Sequence, residues 1–237
     1  MLSRKKKYQK TNTLTAQNRY LKENERQAFM RHPKNTGLLF SLCLLLCGCA
    51  AAAKILYPVT NDPLKTTAGI YKLDPTHANI IFSVNHLGFS LHHGRFNQIE
   101  GSLDLNNNAP ENSRLYVHVS ADSIDTNSEE LDKKLRSKSM FNAVEHPHII
   151  FKSQRVTLSG EKTAIISGQL TLAGISRPLD IETTFIGSGT NPLNDKKTVG
   201  FSGKGTLLRS EYGLKEWLPF VGDEVALIIE AEFIRPN

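Results

Sequence analysis

Beyond Ala50 the sequence contains no cysteine; the three it has, Cys43, Cys47 and Cys49, fall within seven residues of one another. The rest of the chain therefore has no disulfide framework, no thiolate metal site and no cysteine nucleophile. It also lacks a Gly-x-Ser-x-Gly elbow and a His-Glu-x-x-His run. Asp74, His77 and a serine are available, but a hydrolytic triad is defined by geometry rather than by composition. Seven histidines lie beyond the apolar segment: His77, His86, His92, His93, His118, His146 and His148. In an extended chain His146 and His148 share a face, whereas His92 and His93 point opposite ways. A metal site needs three or four converging ligands. Gly200, Gly203 and Gly205 lie in a strand-like pattern, not in a phosphate-cradling turn. No metal, no cofactor and no catalytic residue is expected, and the chain is read as not an enzyme.

Basic charge is also missing from most of the chain, despite a net charge of +6. Ten of the 29 Lys/Arg stand in residues 1–36, against only Glu23 and Glu25, which leaves 19 basic and 21 acidic groups for the remainder. Nucleic-acid binding requires a concentrated basic surface, and the region after the tail does not supply one.

The chain begins with an address. Residues 1–36 form a basic tail, and residues 37–53 (GLLFSLCLLLCGCAAAA) carry no charge. A charged stretch, a short apolar run and small residues together describe a secretory signal. Leu46-Cys47-Gly48-Cys49 resembles a bacterial lipobox, which marks Cys49 for lipidation. Ala50 after it, rather than Asp, favours the outer membrane. Met30 opens a run with the proportions of a complete lipoprotein signal, so translation is expected to start there and residues 1–29 to be an over-extension of the frame. The alternative is an uncleaved anchor at the short end of the ~17–25 residues that span a bilayer. Either reading places the C-terminal region outside the inner membrane. Residues 54–68 hold two prolines and little periodicity, as a tether or an irregular entry to the domain.

From residue 69 to the C-terminus the pattern is period two. Asn79–Leu87 places Ile80, Phe82 and Val84 on one face; Arg114–Ala121 does the same with Leu115, Val117 and Val119. Thr163–Leu172 and Val225–Phe233 alternate likewise, each with one face suited to burial. Ile70–Leu73, Gly94–Leu105, His148–Val156, Pro178–Ile186 and Val199–Leu208 complete eight or nine expected strands. The connections (Asn106–Pro110, Ser159–Lys162, Gly174–Arg177 and Gly187–Lys197) have turn chemistry, which favours an antiparallel meander. One helix interrupts it: Thr126-Asn-Ser-Glu129 has the form of a capping box ahead of an amphipathic Glu129–Met140. An eight-stranded barrel is just wide enough for side chains or one ligand, and a single helix can close one end.

Seven phrases in order carry a resemblance to a known family. They are Tyr71-Lys-Leu-Asp74 with His77, FSVNHLGFSLHHGRF (82–96), SIDTNSEELDKKLRSKSMFN (123–142), HPHIIFKS (146–153), GQLTLAGISRPL (168–179), GFSGKGTLLRSEYGL (200–214) and VGDEVALIIEAEF (221–233). Their spacing resembles the YceI-like lipid/polyisoprenoid-binding family over about residues 69–235. This chain has Ala78 where the family often has Ser or Thr, and Lys134 where it often has His. The resemblance implies an all-β, lipocalin-like antiparallel barrel of about eight strands with one inserted helix. It further implies a periplasmic, cell-envelope setting and an elongated apolar pore for an isoprenoid chain or another long-chain lipid. Phe82, Val84, Phe89, Phe96, Val117, Val119, Phe151, Phe185 and Phe201 are then candidates for the pore wall, and Phe141, Trp217 and Phe220 for its mouth. Arg136 and Arg209 are candidates to pair with a phosphate head. The rival expectations are an envelope enzyme acting on an amphiphilic or quinone-like substrate, and a stress-related module whose barrel is filled by its own side chains.

Overall fold

The computed structural model describes residues 57–236. The signal segment, Cys49 and Met30 lie outside the described residues. The described residues form ten strands: β1 (Gly69–His86), β2 (Ser90–Phe96), β3 (Ile99–Leu105), β4 (Arg114–Ser120), β5 (Ile124–Asp125), β6 (His148–Leu158), β7 (Thr163–Leu172), β8 (Ile175–Thr190), β9 (Lys197–Leu208) and β10 (Val221–Ile234). One α-helix, α1 (Glu129–Arg136), stands between β5 and β6. All pairings are antiparallel and run β10-β9-β8-β7-β6-β4-β3-β1, and β1 pairs back onto β10. The result is the expected closed eight-stranded antiparallel barrel, in which every backbone ladder finds a partner around the ring. β2 and β5 extend β3 and β4 at one end: β1 pairs first with β3 (Gly69↔Leu105) and further along with β2 (Ile80↔Phe96).

Strands longer than expected come from bulges that exchange the inward and outward faces. In β1 the register with β10 jumps from Leu73↔Phe233 to Ala78↔Ala231, so Asp74–His77 loops out of the ladder. Odd residues (Tyr71, Leu73) face inward before the bulge, and even residues (Ala78, Ile80, Phe82, Val84) line the interior after it. The local chemistry favours the detour. Pro75 has no N–H to donate to a ladder. Asp74 accepts from the Thr76 backbone N–H at 3.0 Å and from its hydroxyl at 2.7 Å. A second bulge, between Ser153 and Arg155 in β6, switches Ile149 and Phe151 to Val156 and Leu158 on the inner face.

The helix differs from its expected bounds. Ser128, not Thr126, is the N-cap, its side chain accepting from Leu131 N, and the helix ends at Arg136, short of Met140. Thr126 instead donates both its N–H (2.8 Å) and its hydroxyl (2.6 Å) to the buried Asp132 carboxylate. Ser128 wins because Asn127 adopts φ 62, which turns the chain into the helix one step later. Acidic residues fill the first turn of α1 and basic residues the last, complementing its dipole. Lys134 reaches Glu216 at 2.7 Å and ties the helix to the segment before β10.

The described part of the entry segment packs on the barrel. Thr60 exchanges both backbone bonds with Ser188 at 2.8 Å, and the buried Thr66 hydroxyl lies 3.1 Å from that of Ser188. Gly189 permits this approach, since a Cβ there would stand 2.9 Å from Pro58 O. Residues 57–68 are thus an irregular entry that belongs to the domain.

Candidate functional site: an apolar tunnel through the barrel

The inward residues do not fill the barrel. They enclose a cavity of about 1190 Å³ that runs from the β1–β2 turn to the β3–β4 and β6–β7 turns. Ordinary small-molecule pockets occupy roughly 300–1,000 Å³. Kept dry, a void this size would cost on the order of 30 kcal/mol at about 24 cal/mol per Å³, more than the ~5–15 kcal/mol stability of a whole domain. The inward side chains thus leave the tunnel open, and the expectation of a side-chain-filled barrel does not fit it.

Its wall comes from the alternation on every strand. Ile80, Phe82 and Val84 of β1 face Leu227 and Ile229 of β10; Leu115, Val117 and Val119 of β4 lie beside Phe151 of β6; Ile166 and Leu170 of β7 adjoin Ile181 of β8. Phe82, Phe96 and Phe141 pack in sequence at centroid distances of 5.8 and 6.1 Å, and Phe185, Phe201 and Phe233 at 5.7 and 6.2 Å. These tilted and edge-on pairs hold the rings against the wall. Gly94 makes room for one of them: a Cβ there would lie 2.3 Å from the Phe82 ring. Leu131 and Leu135 of α1, with Met140 and Phe141 after it, also line the cavity.

Of the wall and mouth residues expected from sequence, Phe82, Val84, Phe96, Val117, Val119, Phe141, Phe151, Phe185, Phe201, Trp217 and Phe220 all line the cavity. Phe89 does not. It sits in the β1–β2 turn, where Leu87 and Gly88 take positive φ and its N–H closes on His86 O at 3.0 Å, so its ring points away from the barrel. Arg136 is also off the wall: its Nε bonds Asp132 O at 3.0 Å, and its guanidinium lies between Glu129 (3.5 Å) and Asp122 (4.0 Å). Arg209 reaches the lining but is committed elsewhere. Only 6% exposed, it donates to the carbonyls of Gly222, Leu214, Glu216 and Val221. Burial lowers its pKa, with Asp223 opposing the shift. Both arginines act as structural clips, so neither presents a free guanidinium to a head group.

One polar group of the wall is not evident from sequence. His92 lines the tunnel, and its Nε2 is buried without a hydrogen-bond partner. The alternation of adjacent His92 and His93 indicates that one ring turns inward, but the sequence does not say which. Elsewhere, His118 and His148 meet edge to face at 5.5 Å, and His118 Nε2 lies 3.4 Å from Glu100 across the β3–β4 pair.

Among the described residues, one group brings metal-type ligands together: single ligand atoms of Asp74, His77 and Glu232 lie within 4.8 Å of one another, at the β1 bulge. His77 Nδ1 donates to Asp74 at 2.9 Å. That bond raises the His77 pKa, with Glu232 adding to the shift. Burial pushes the Asp74 carboxyl up, but the bonds from His77 and Thr76 outweigh it and leave the group below its ordinary value. The trio could hold a divalent cation; equally, the Asp74–His77 bond closes the bulge without one.

A closed antiparallel barrel with one helix and an apolar tunnel along its axis defines a lipocalin-like binding architecture. The sequence carries the same assignment, since the model of the YceI-like domain matches residues 71–233, and the chain belongs to that family. Over 170 residues it is 37% identical to a UPF0312 protein of Pseudomonas aeruginosa, covering 71% of this chain and 88% of that one. A UPF0312 protein of Pectobacterium carotovorum is 35% identical over the same length, with the same coverage. Solved structures share the fold. BcnA of Burkholderia cenocepacia superposes with a TM-score of 0.62 at 18% identity, over 68% of this chain and 98% of that one. A polyisoprenoid-binding domain from Saccharophagus degradans, implicated in plant cell wall breakdown, gives 0.52 at 13% identity, over 72% and 100%.

Proposed function

We propose that the protein binds a polyisoprenoid or similar long-chain amphiphile non-covalently, its tail lying lengthwise in the tunnel, and carries or stores it in the bacterial envelope. The observation that carries this reading is the continuous apolar cavity of about 1190 Å³. Each 100 Å² of tail removed from water contributes about 2.5 kcal/mol, so a long tail is held without directed bonds. The specificity then rests on width and length. Phe82, Phe96 and Phe201 set the bore, and His92 Nε2 offers one hydrogen bond to a polar group on the ligand. The reading assigns no bond chemistry to the site. Cys49 is the proposed point of lipid attachment, and the periplasm the proposed compartment; labelling with a radioactive fatty acid that survives in Cys49→Ser would contradict the first.

The test is mass spectrometry of lipids extracted from protein produced in a bacterial periplasm and purified without detergent. A stoichiometric polyprenyl species is expected. Protein that is folded and free of lipid would overturn the proposal.

A further inference from the structure

The two ends of the tunnel are chemically unlike. At the end formed by the β3–β4 and β6–β7 turns, its rim includes Asn61, Asp62, Asn107, Glu161 and Lys162. At the other end the rim includes Leu87, Trp217 and Phe220, which face both the tunnel and the outside, being 47%, 40% and 67% exposed. Phe89 (85%) and Leu91 (58%) extend this apolar surface beyond the opening. Neither residues 86–96 nor residues 217–222 contain a carboxylate. The flanking Glu216 and Asp223 are engaged by Lys134 at 2.7 Å and by the Ser210 hydroxyl at 2.6 Å.

The surface is also built, not loose. Leu87 N–H donates to Phe220 O at 2.9 Å and joins the two segments, and Gly88 N–H donates to the Asn85 side chain at 2.8 Å. Val221 N–H closes on Trp217 O at 2.9 Å. Leu87 and Trp217 hold positive φ, 55 and 64, where Asn, Asp or Gly is the usual occupant. Large apolar side chains are kept there on a backbone that disfavours them, at a rim where Leu87 and Trp217 each leave 40% or more of their surface exposed.

We infer that this apolar end docks onto the surface of a lipid bilayer, with the Phe89 turn and the Trp217–Phe220 segment entering the headgroup–acyl boundary so that the tunnel opens into it. The inference rests on the tunnel holding a lipid tail. Such a tail gains its burial only by leaving one apolar phase for another, so the opening must meet its source without water between. Aromatic side chains with an apolar body suit that boundary, and the absence of carboxylates avoids repulsion by anionic headgroups. The opposite end also exposes Leu64 (66%) and Leu158 (54%), but its rim has no exposed aromatic side chain and carries Asp62 and Glu161.

Trp217 is the only tryptophan of the chain, so its fluorescence reads the contact directly. The full-length protein is mixed with vesicles of phosphatidylcholine and phosphatidylglycerol brominated on the acyl chains. A blue shift with at least twofold quenching is expected. Because Trp217 also faces the tunnel, the deciding variant is Phe89→Asp, which lies off the tunnel wall. It should abolish the quenching while its co-purified lipid, measured by mass spectrometry, stays at the wild-type level. Equal quenching in wild type and Phe89→Asp overturns docking, as does an absence of quenching in both. A dimer in sedimentation that Phe89→Asp dissociates, without quenching by vesicles, would assign the surface to a second copy of the chain instead. Quenching abolished by Phe89→Asp in a protein that carries no lipid would leave docking standing and remove the container reading.

Discussion

Val117→Glu tests the tunnel through charge. Val117 stands on the inner face of β4, paired with Gly101 on one side and Phe151 on the other. In an unloaded tunnel the new carboxylate is hydrated and is tolerated. Once a tail lies against it the water is expelled, and the carboxylate must either remain charged in an apolar surround or take up a proton. Protonation is the cheaper route. From an ordinary Glu pKa of about 4.3 it costs about 3.7 kcal/mol at pH 7, so binding of a fluorescent long-chain polyene should weaken by roughly 500-fold. The penalty shrinks tenfold for each unit of pH lowered and nearly vanishes around pH 4. Titrating the polyene into wild type, Val117→Glu and Val117→Gln between pH 4 and 7.5 separates charge from shape. Only the Glu variant should recover affinity on acidification. Wild-type affinity of Val117→Glu at pH 7, or a loss unchanged at pH 4, would refute the assignment of Val117 to a dry, ligand-filled wall.

The geometry carries four further expectations. Arg209→Ala should destabilise the domain by about 4 kcal/mol, because it leaves four carbonyls without their donor; differential scanning calorimetry should register a fall of roughly 8–16 °C in Tm, and an unchanged Tm would contradict the clip role. Gly94→Val puts carbon atoms where the Phe82 ring lies, with an expected cost of about 1–3 kcal/mol and a lower lipid content at unchanged secondary structure by circular dichroism. Ser128→Ala should cost about 0.5–2 kcal/mol in urea denaturation through loss of the N-cap, whereas Thr126→Ala should act through the buried Asp132. In an NMR titration Asp74→Asn should lower the midpoint of His77, since the carboxylate is what raises it. The contribution of Asp74 is present at neutral pH and disappears as pH falls through its lowered pKa. The contribution of His77 is complete below the ordinary imidazole value and is lost as pH rises through its raised pKa.

The barrel is legible because period-two alternation survives in β4, β7 and β10, where inward residues are mostly aliphatic and their outward neighbours mostly polar or aromatic. What the alternation conceals is the place where it changes phase. Ile70–Leu73 and Asn79–Leu87 read as separate strands because the Asp74–His77 bulge exchanges their faces, yet β1 runs through both. Conversely, Gly94–Leu105 reads as one strand, but the ladder breaks at Asn97 and Gln98, leaving β2 and β3. The capping-box spacing points to Thr126, and only the backbone turn at Asn127 shifts the cap to Ser128. For the site, aromatic side chains on alternating strands are readable as wall. Phe89 is not, because a turn residue has no alternation to report its direction. The arginines mislead for a different reason: composition shows a cation but not the carbonyls and carboxylates that already occupy it. His92 becomes visible only when the inward member of an adjacent pair is fixed by pairing with Val84.

Closure of β1 onto β10 leaves the row of strands ending only at β2 and β5, of seven and two residues. A molecule that presents Phe89 and Phe220 to its surroundings invites association with its own kind, and exposed strands would let such contacts propagate by edge pairing. Here the open edge beside the greasy surface is confined to Ser90–Gly94 of β2, since β2 meets β5 only at Arg95 and Phe96. Copies that meet through their apolar ends can stack pole to pole with only that short stretch left to pair. The shape of the ring thus turns a potential route to fibres into a self-terminating encounter.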